Sequence, residues 1–305
     1  METAAVREIL KKVRQIEVRT RRMADSSLAG SYHSVFKGGR GMNFDEVREY
    51  VPGDEIRAID WNVTARTGVP HVKKFTEERE LTIMLLIDLS ASGSFGSGSQ
   101  SKREVMAELA AVLAFSAVRN SDKVGLLLFS DFAELFIPAG KGRSHILRVI
   151  REILFFQPQG KGTSIGGALD FFSRVAKRKC VTFLISDFCL PGEFDDALQE
   201  LRPKLQAASR RHDLIAVSVT DPRELELPDT GWITLEDAES GEQILLNTSD
   251  EWTRRAYANL TGDQRERFAR ALRGMGVDLL QLSTGTPYLA PLMGFFRARS
   301  RRQSR

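Results

Sequence analysis

Leu81-Thr82-Ile83-Met84-Leu85-Leu86-Ile87 runs directly into Asp88-Leu89-Ser90-Ala91-Ser92, and the reading of this stretch decides the fold. The apolar run has the length and composition of a strand buried on both faces. Its continuation has the pattern D-x-S-x-S. In extended chain, residues i, i+2 and i+4 point the same way, so one carboxylate and two hydroxyls converge just past the strand's carboxyl end. Such hard oxygen donors suit an octahedral divalent ion, Mg²⁺ or Mn²⁺, that keeps several waters. The alternative is an aspartate and two serines that satisfy loop amides.

Working outward, a second buried-strand pattern, Val181-Thr182-Phe183-Leu184-Ile185, ends in Ser186-Asp187. A glycine-rich loop, Gly160-Lys161-Gly162-Thr163-Ser164, precedes an apolar-periodic helix. If these two strands are neighbours in a parallel sheet, Asp88 and Asp187 emerge together on its carboxyl-end rim. Open α/β sheets bind ligands there, where the strand order reverses. Two adjacent carboxylates repel unless a cation sits with them, and Thr163 can supply a third hydroxyl.

The remaining periodicities alternate strand and helix. Strands are expected at 81–88, 123–129, 180–186, 213–219 and 277–282, with an edge strand at 132–138. Helices are expected at 102–120, 143–155, 164–178, 193–209 and 250–273. This pattern predicts an α/β fold with a doubly wound, mostly parallel sheet. Trp232–Asp237 and Gln243–Leu246 flank Ser240-Gly241-Glu242 and read as a hairpin insertion near 231–247. Val6, Ile9, Leu10, Val13 and Ile16 mark an amphipathic helix at the start, and residues 31–80 read as short strands of a small β-rich subdomain. The expected organisation is 1–80 for that N-terminal part, 81–286 for the sheet domain, and 287–305 for a terminal helix and basic tail.

Asp88, Ser90, Ser92, Thr163 and Asp187 fall in the order of a metal-ion-dependent adhesion site, and the chain resembles the von Willebrand factor A-like fold in that respect. Gly93 departs from the Met that often follows the second serine, a packing position that leaves the ligands intact. The Gly/Ser-rich stretch 94–101 is expected to form a mobile lip beside the metal. The preceding segment narrows the resemblance. Arg48-Glu49-Tyr50-Val51-Pro52-Gly53-Asp54 and Ile59-Asp60-Trp61-Asn62 look like strings of the family called domain of unknown function fifty-eight, over about residues 30–300. That resemblance implies a MoxR-type AAA+ ATPase as partner, with the pair acting in chaperone-like maturation or assembly of other proteins. The ATPase activity would belong to the partner.

Composition narrows the classes further. Among the 305 residues, only Cys180 and Cys189 could pair, and the four His are far apart, so neither a disulfide framework nor a zinc site is expected. Both cysteines read as small packing residues. No apolar run reaches the length of a membrane span, and the start lacks a secretory pattern, so the expected location is the cytoplasm. Lys11, Lys12, Arg14, Arg19, Arg21 and Arg22 near the start, and Arg297, Arg299, Arg301, Arg302 and Arg305 at the end, could meet an anionic membrane surface. With a net charge of only +4 and no aromatic-interleaved basic motif, nucleic acid is not expected. A solvated helix face and a frayed tail are the plainer reading of these clusters.

A hydrolase is the competing class. Gly162-Thr163-Ser164-Ile165-Gly166 fits G-x-S-x-G, with Asp187 and His212 following in triad order. A nucleophile elbow needs a strand running straight into its first glycine, and Pro158-Gln159-Gly160-Lys161 intervenes. The expectation is therefore a non-catalytic, metal-dependent protein-interaction module. An acidic side chain of a partner would fill the ion's open position. A metal-dependent or Ser-based hydrolase and a nucleic-acid-binding protein are the alternatives.

Overall fold

The computed structural model describes residues 43–303, apart from 53, 77–79 and 99. The expected N-terminal helix and the basic cluster at 11–22 lie outside the described residues. The chain divides into two compact units, with the boundary between Leu81 and Thr82.

In the smaller unit, β1 (Asn43–Glu49) pairs antiparallel with β2 (His71–Thr76). Between them a 3₁₀ turn, Ile56–Ala58, leads to helix α1, Trp61–Thr67. The pattern of residues 31–80 predicts short strands only, and α1 is a departure. Asp60 starts it: its carboxylate accepts the amides of Asn62 and Val63, as a good N-cap does. Gly68, at φ +75°, stops it in the left-handed conformation that glycine adopts without strain.

The larger unit is a mixed α/β structure around a mostly parallel sheet. Its strands are β3 (Thr82–Asp88), β4 (Lys123–Phe129), β5 (Ala133–Gly140), β6 (Val181–Ser186), β7 (Asp213–Thr220) and, after a separate two-stranded hairpin formed by β8 (Trp232–Glu236) and β9 (Gln243–Asn247), β10 (Asp278–Ser283). The sheet order is β10-β7-β6-β3-β4-β5, with only β5 antiparallel to its neighbour. Ile83, Leu85, Leu86 and Ile87 are fully buried, as are Phe183 and Leu184. Each such side chain contributes about 1.5–3 kcal/mol on leaving water, so the centre of the sheet is fixed by its apolar runs alone.

Helices α2 (Lys102–Arg119) and α3 (Arg143–Phe155) pack together, as do α4 (Ile165–Val175) and α5 (Phe194–Arg211). A one-turn helix α6 (Pro222–Leu225) follows β7, and α7 (Glu251–Gly274) and α8 (Leu289–Gln303) complete the chain. The sequence pattern predicts a frayed tail after Phe296, but the terminal helix does not end there. It continues through Gln303 because Arg299, 6% exposed, pairs with Asp213 and Asp278, and Arg302 reaches Asp278 at 2.9 Å. Among the described residues, no helix is long and apolar enough to cross a membrane.

From β3 the chain adds β4 and β5 on one side, then returns to add β6, β7 and β10 on the other. The strand order therefore reverses between β3 and β6, and the crevice past their carboxyl ends is the place where such sheets hold ligands.

Candidate functional site

Asp88 is the last residue of β3, and Asp187 comes directly after the last residue of the adjacent β6. The two carboxylates thus reach the rim at the switch point. Asp88 is 2% exposed; its Oδ1 accepts the Ser90 amide at 2.9 Å and its Oδ2 accepts the Ser186 hydroxyl at 2.7 Å. The Ser90 and Ser92 hydroxyls lie 3.1 Å apart. The three are gathered not by the extended alternation that the sequence suggests but by a 3₁₀ turn, Ala91–Ser94, that follows the strand.

The glycine loop is held against them by a side chain from the β4–β5 connection and one from the start of β5. Asp131 accepts the amides of Lys161 and Gly162, and Glu134 accepts those of Gln159 and Gly160. Gly160 and Gly162 lie so close to Asp131 that a Cβ at either would overlap its carboxylate. The Lys161 carbonyl accepts the Ala91 amide at 2.9 Å, tying the two loops together. This brings Thr163, 7% exposed, to the rim, where its hydroxyl donates to Glu239 at 2.5 Å.

Asp187 has a different neighbour. Lys102, the first residue of α2, is fully buried, and its ammonium lies 2.6 Å from Asp187 Oδ2 and 2.5 Å from Glu224 Oε1. Burial alone would pull the ammonium down, but the charges of Asp187 and Glu224 and their hydrogen bonds outweigh it and hold Lys102 above its usual range. The sequence carried one sign of this: Lys102 sits in the first turn after the Ser101 N-cap, where the helix dipole disfavours a cation. A lysine placed there needs acidic neighbours from elsewhere in the fold.

Among the described residues Asp88 has donors but no cationic partner. Burial first, and then the charge of Asp187, push its carboxyl up to about 7. Asp221, which follows β7, shows the opposite balance. Burial alone would raise it, but Ser97 and Thr284 hydroxyls and the amides of Ser97 and Arg223 donate to it and hold it at about 2. Through Ser97 this clasp ties down the Gly/Ser-rich stretch whose composition predicts a mobile lip.

Glu239 was missed in the sequence. It stands at the tip of the β8–β9 hairpin, where burial, and then the charges of Asp187 and Asp237, outweigh the Thr163 hydrogen bond and raise its carboxyl. Nothing in a hairpin's pattern says that its turn folds back to a distant loop.

The donor chemistry fits a hard divalent ion at Asp88, Ser90 and Ser92, since a buried carboxylate without a cation lies beside two adjacent hydroxyls. Among the described residues no group of three or more His, Cys, Asp or Glu side chains could hold a metal by itself. Thr163 and Asp187 are on the same rim but engaged with Glu239 and Lys102.

The hydrolase triad is not assembled. The Ser164 side chain caps α4 by accepting the Gly167 amide. His212 precedes β7 and lies at the amino end of the sheet, its Nδ1 3.3 Å from the Cys180 sulfur and its ring tilted on Phe172. Asp187 is at the opposite end of the six-residue β6, roughly 20 Å away at about 3.3 Å per residue. Of the two cysteines, Cys180 is buried as a packing residue should be, whereas Cys189 is exposed on the loop after β6, where its amide donates to Asp187.

The family model described as "Protein of unknown function DUF58" matches residues 46–267. "Uncharacterized protein Rv1480" of Mycobacterium tuberculosis is 34% identical over 291 residues, spanning 95% of this chain and 89% of its own length. "Uncharacterized protein YeaD" of Bacillus subtilis is 30% identical over 107 residues, which are 35% of this chain and 25% of its own. The crystal structure of the conserved hypothetical protein BatB from Bacteroides thetaiotaomicron aligns with 73% of this chain and 99% of its own at 14% identity and a TM-score of 0.41.

Proposed function

We propose, for a chain that belongs to the DUF58 family, a non-catalytic protein-interaction module whose binding depends on a divalent ion. The observation that carries this reading is the buried Asp88 carboxylate, without a cationic partner among the described residues, beside the Ser90 and Ser92 hydroxyls at the switch point of the sheet. In this reading the larger unit is a von Willebrand factor A-like domain, and Asp88, Ser90, Ser92, Thr163 and Asp187 form its metal-ion-dependent adhesion site. When bound, Mg²⁺ or Mn²⁺ supplies a fixed positive charge on the rim, toward which an acidic partner side chain is drawn. Lys102 keeps the buried Asp187 compensated, so the rim carries less uncompensated negative charge than its carboxylates suggest. The separation of Asp187 from His212, at opposite ends of the sheet, supports a binding role over Ser-based hydrolysis.

The partner, as the family resemblance implies, is a MoxR-type AAA+ ATPase, with this chain as adaptor or co-chaperone in protein maturation or assembly and the cytoplasm as the place of work. The test is co-elution of purified chain and ATPase with Mg²⁺ and with EDTA. A complex that forms only with Mg²⁺, and is absent for Asp88→Ala, supports the reading. A complex indifferent to both chelator and substitution contradicts it.

A further inference from the structure

The β8–β9 hairpin is built from two five-residue strands, and Trp232, Ile244 and Leu245 on them are exposed. Its tip is nonetheless a defined turn. Asp237 accepts the Glu239 amide and the Ser240 hydroxyl through its two carboxylate oxygens, and its own carbonyl accepts the Gly241 amide at 2.8 Å. This turn presents Glu239 toward the sheet domain. Its Oε1 accepts the Thr163 hydroxyl, and its Oε2 lies where a side chain at Gly162 would touch it, at 3.5 Å.

A glutamate at a hairpin tip has water on most sides and ordinarily stays in it. Here it is turned onto a rim that already carries Asp187, whose charge acts against it, and among the described residues it has no cationic partner. Lys102 offsets part of the Asp187 charge from 2.6 Å, but Glu239 itself is left with no cation of its own, which is costly for a carboxylate set beside another. A cation held by Asp88, Ser90 and Ser92 offsets that cost, and a carboxylate resting on Thr163 stands beside the same rim.

We propose that Glu239 is the chain's own carboxylate at the rim, standing in the place of the partner's acidic side chain, so that partner binding exchanges one carboxylate for another. The inference rests on the metal-rim reading and deepens it. The ligand class comes from the hairpin itself: an acidic segment with a glutamate at the apex of a turn, of which Asp237-Ala238-Glu239-Ser240-Gly241 is the internal copy. The partner must displace the tip, and the exposed strands leave the hairpin little apolar burial to lose when it moves.

The experiment uses the full chain, as wild type, Glu239→Ala and Glu239→Gln, and a cyclic peptide of sequence DAESG as probe, with a control peptide bearing Ala for Glu. Mg²⁺ binding is measured by calorimetry and peptide binding by fluorescence polarisation, with and without EDTA. If the tip holds the rim nine-tenths of the time or more, freeing it raises peptide affinity roughly tenfold or more. Both variants are expected to show that gain, only with Mg²⁺ and only for the Glu peptide. Equal peptide binding by wild type and variants, with Mg²⁺ bound by all, overturns the exchange and leaves the metal rim standing. A variant that loses Mg²⁺ makes Glu239 a fixed ligand and also overturns the exchange. Failure of every form to bind Mg²⁺ overturns the metal-rim reading and the exchange with it.

Discussion

Asp88, the last residue of β3, and Asp221, the residue after β7, are both buried and are shifted in opposite directions. The difference is in the donors. Asp221 receives hydroxyls from Ser97 and Thr284 and amides from Ser97 and Arg223, enough to keep the charge. Asp88 receives Ser186 and Ser90 and faces Asp187, so its neutral form is favoured up to about 7. The consequence for stability has a definite sign. A carboxyl whose folded pKa is raised above its unfolded value of 3.8 contributes stability below that value and loses it as pH rises through about 7. Metal-free wild type should therefore lose stability between about pH 4 and 7 relative to Asp88→Asn. The Asn variant should melt several degrees higher at pH 8, with the two converging near pH 4. A difference between them that is flat across this range contradicts the assignment of the shift to Asp88. Lys102 makes the complementary point. It is the cation that the rim already owns, and it serves Asp187 and Glu224 rather than Asp88.

At the scale of elements, the glycine loop is the part that a small change should disturb. A methyl group at Gly162 meets the Asp131 carboxylate that holds the loop, so Gly162→Ala must push the loop and Thr163 away from the rim. The expected result is Mg²⁺ affinity lowered about tenfold, with stability lost by only about 1–3 kcal/mol, the usual scale of overpacking. Calorimetry and urea unfolding on the same sample check both numbers. Unchanged Mg²⁺ affinity would mean that Thr163 takes no part in holding the ion. Much of this layer was legible in the chain. Continuous apolar runs gave the central strands, and helical periodicity bounded α3 and α5 within two residues of their observed ends. The adjacency of β3 and β6 came from treating Asp88 and Asp187 as a pair. The illegible part depends on contacts between distant segments. Helix α1 hides in a mixed aromatic stretch whose start signal is the single cap Asp60. The fold of α8 past Phe296 depends on Arg299 finding Asp213 and Asp278, which no periodicity encodes. Glu239 reaches Thr163 across 76 residues of sequence.

At the scale of the whole chain, the two units divide the features that set it apart as a sequence. The smaller one carries the signature strings, and there Arg48 and Asp54 form a bidentate pair across the turn after β1, at 2.6 and 2.8 Å, while Trp61 is left 67% exposed. The larger one carries the rim. Whether the rim holds an ion is read directly by calorimetric titration of metal-stripped protein with Mg²⁺ and with Mn²⁺, on wild type and on Asp88→Ala of native circular dichroism. The sheet core is made by apolar strands rather than by the rim, so the variant should fold. Wild type should bind one ion per chain and the variant none; binding that is undiminished in Asp88→Ala would place the ion elsewhere than the rim.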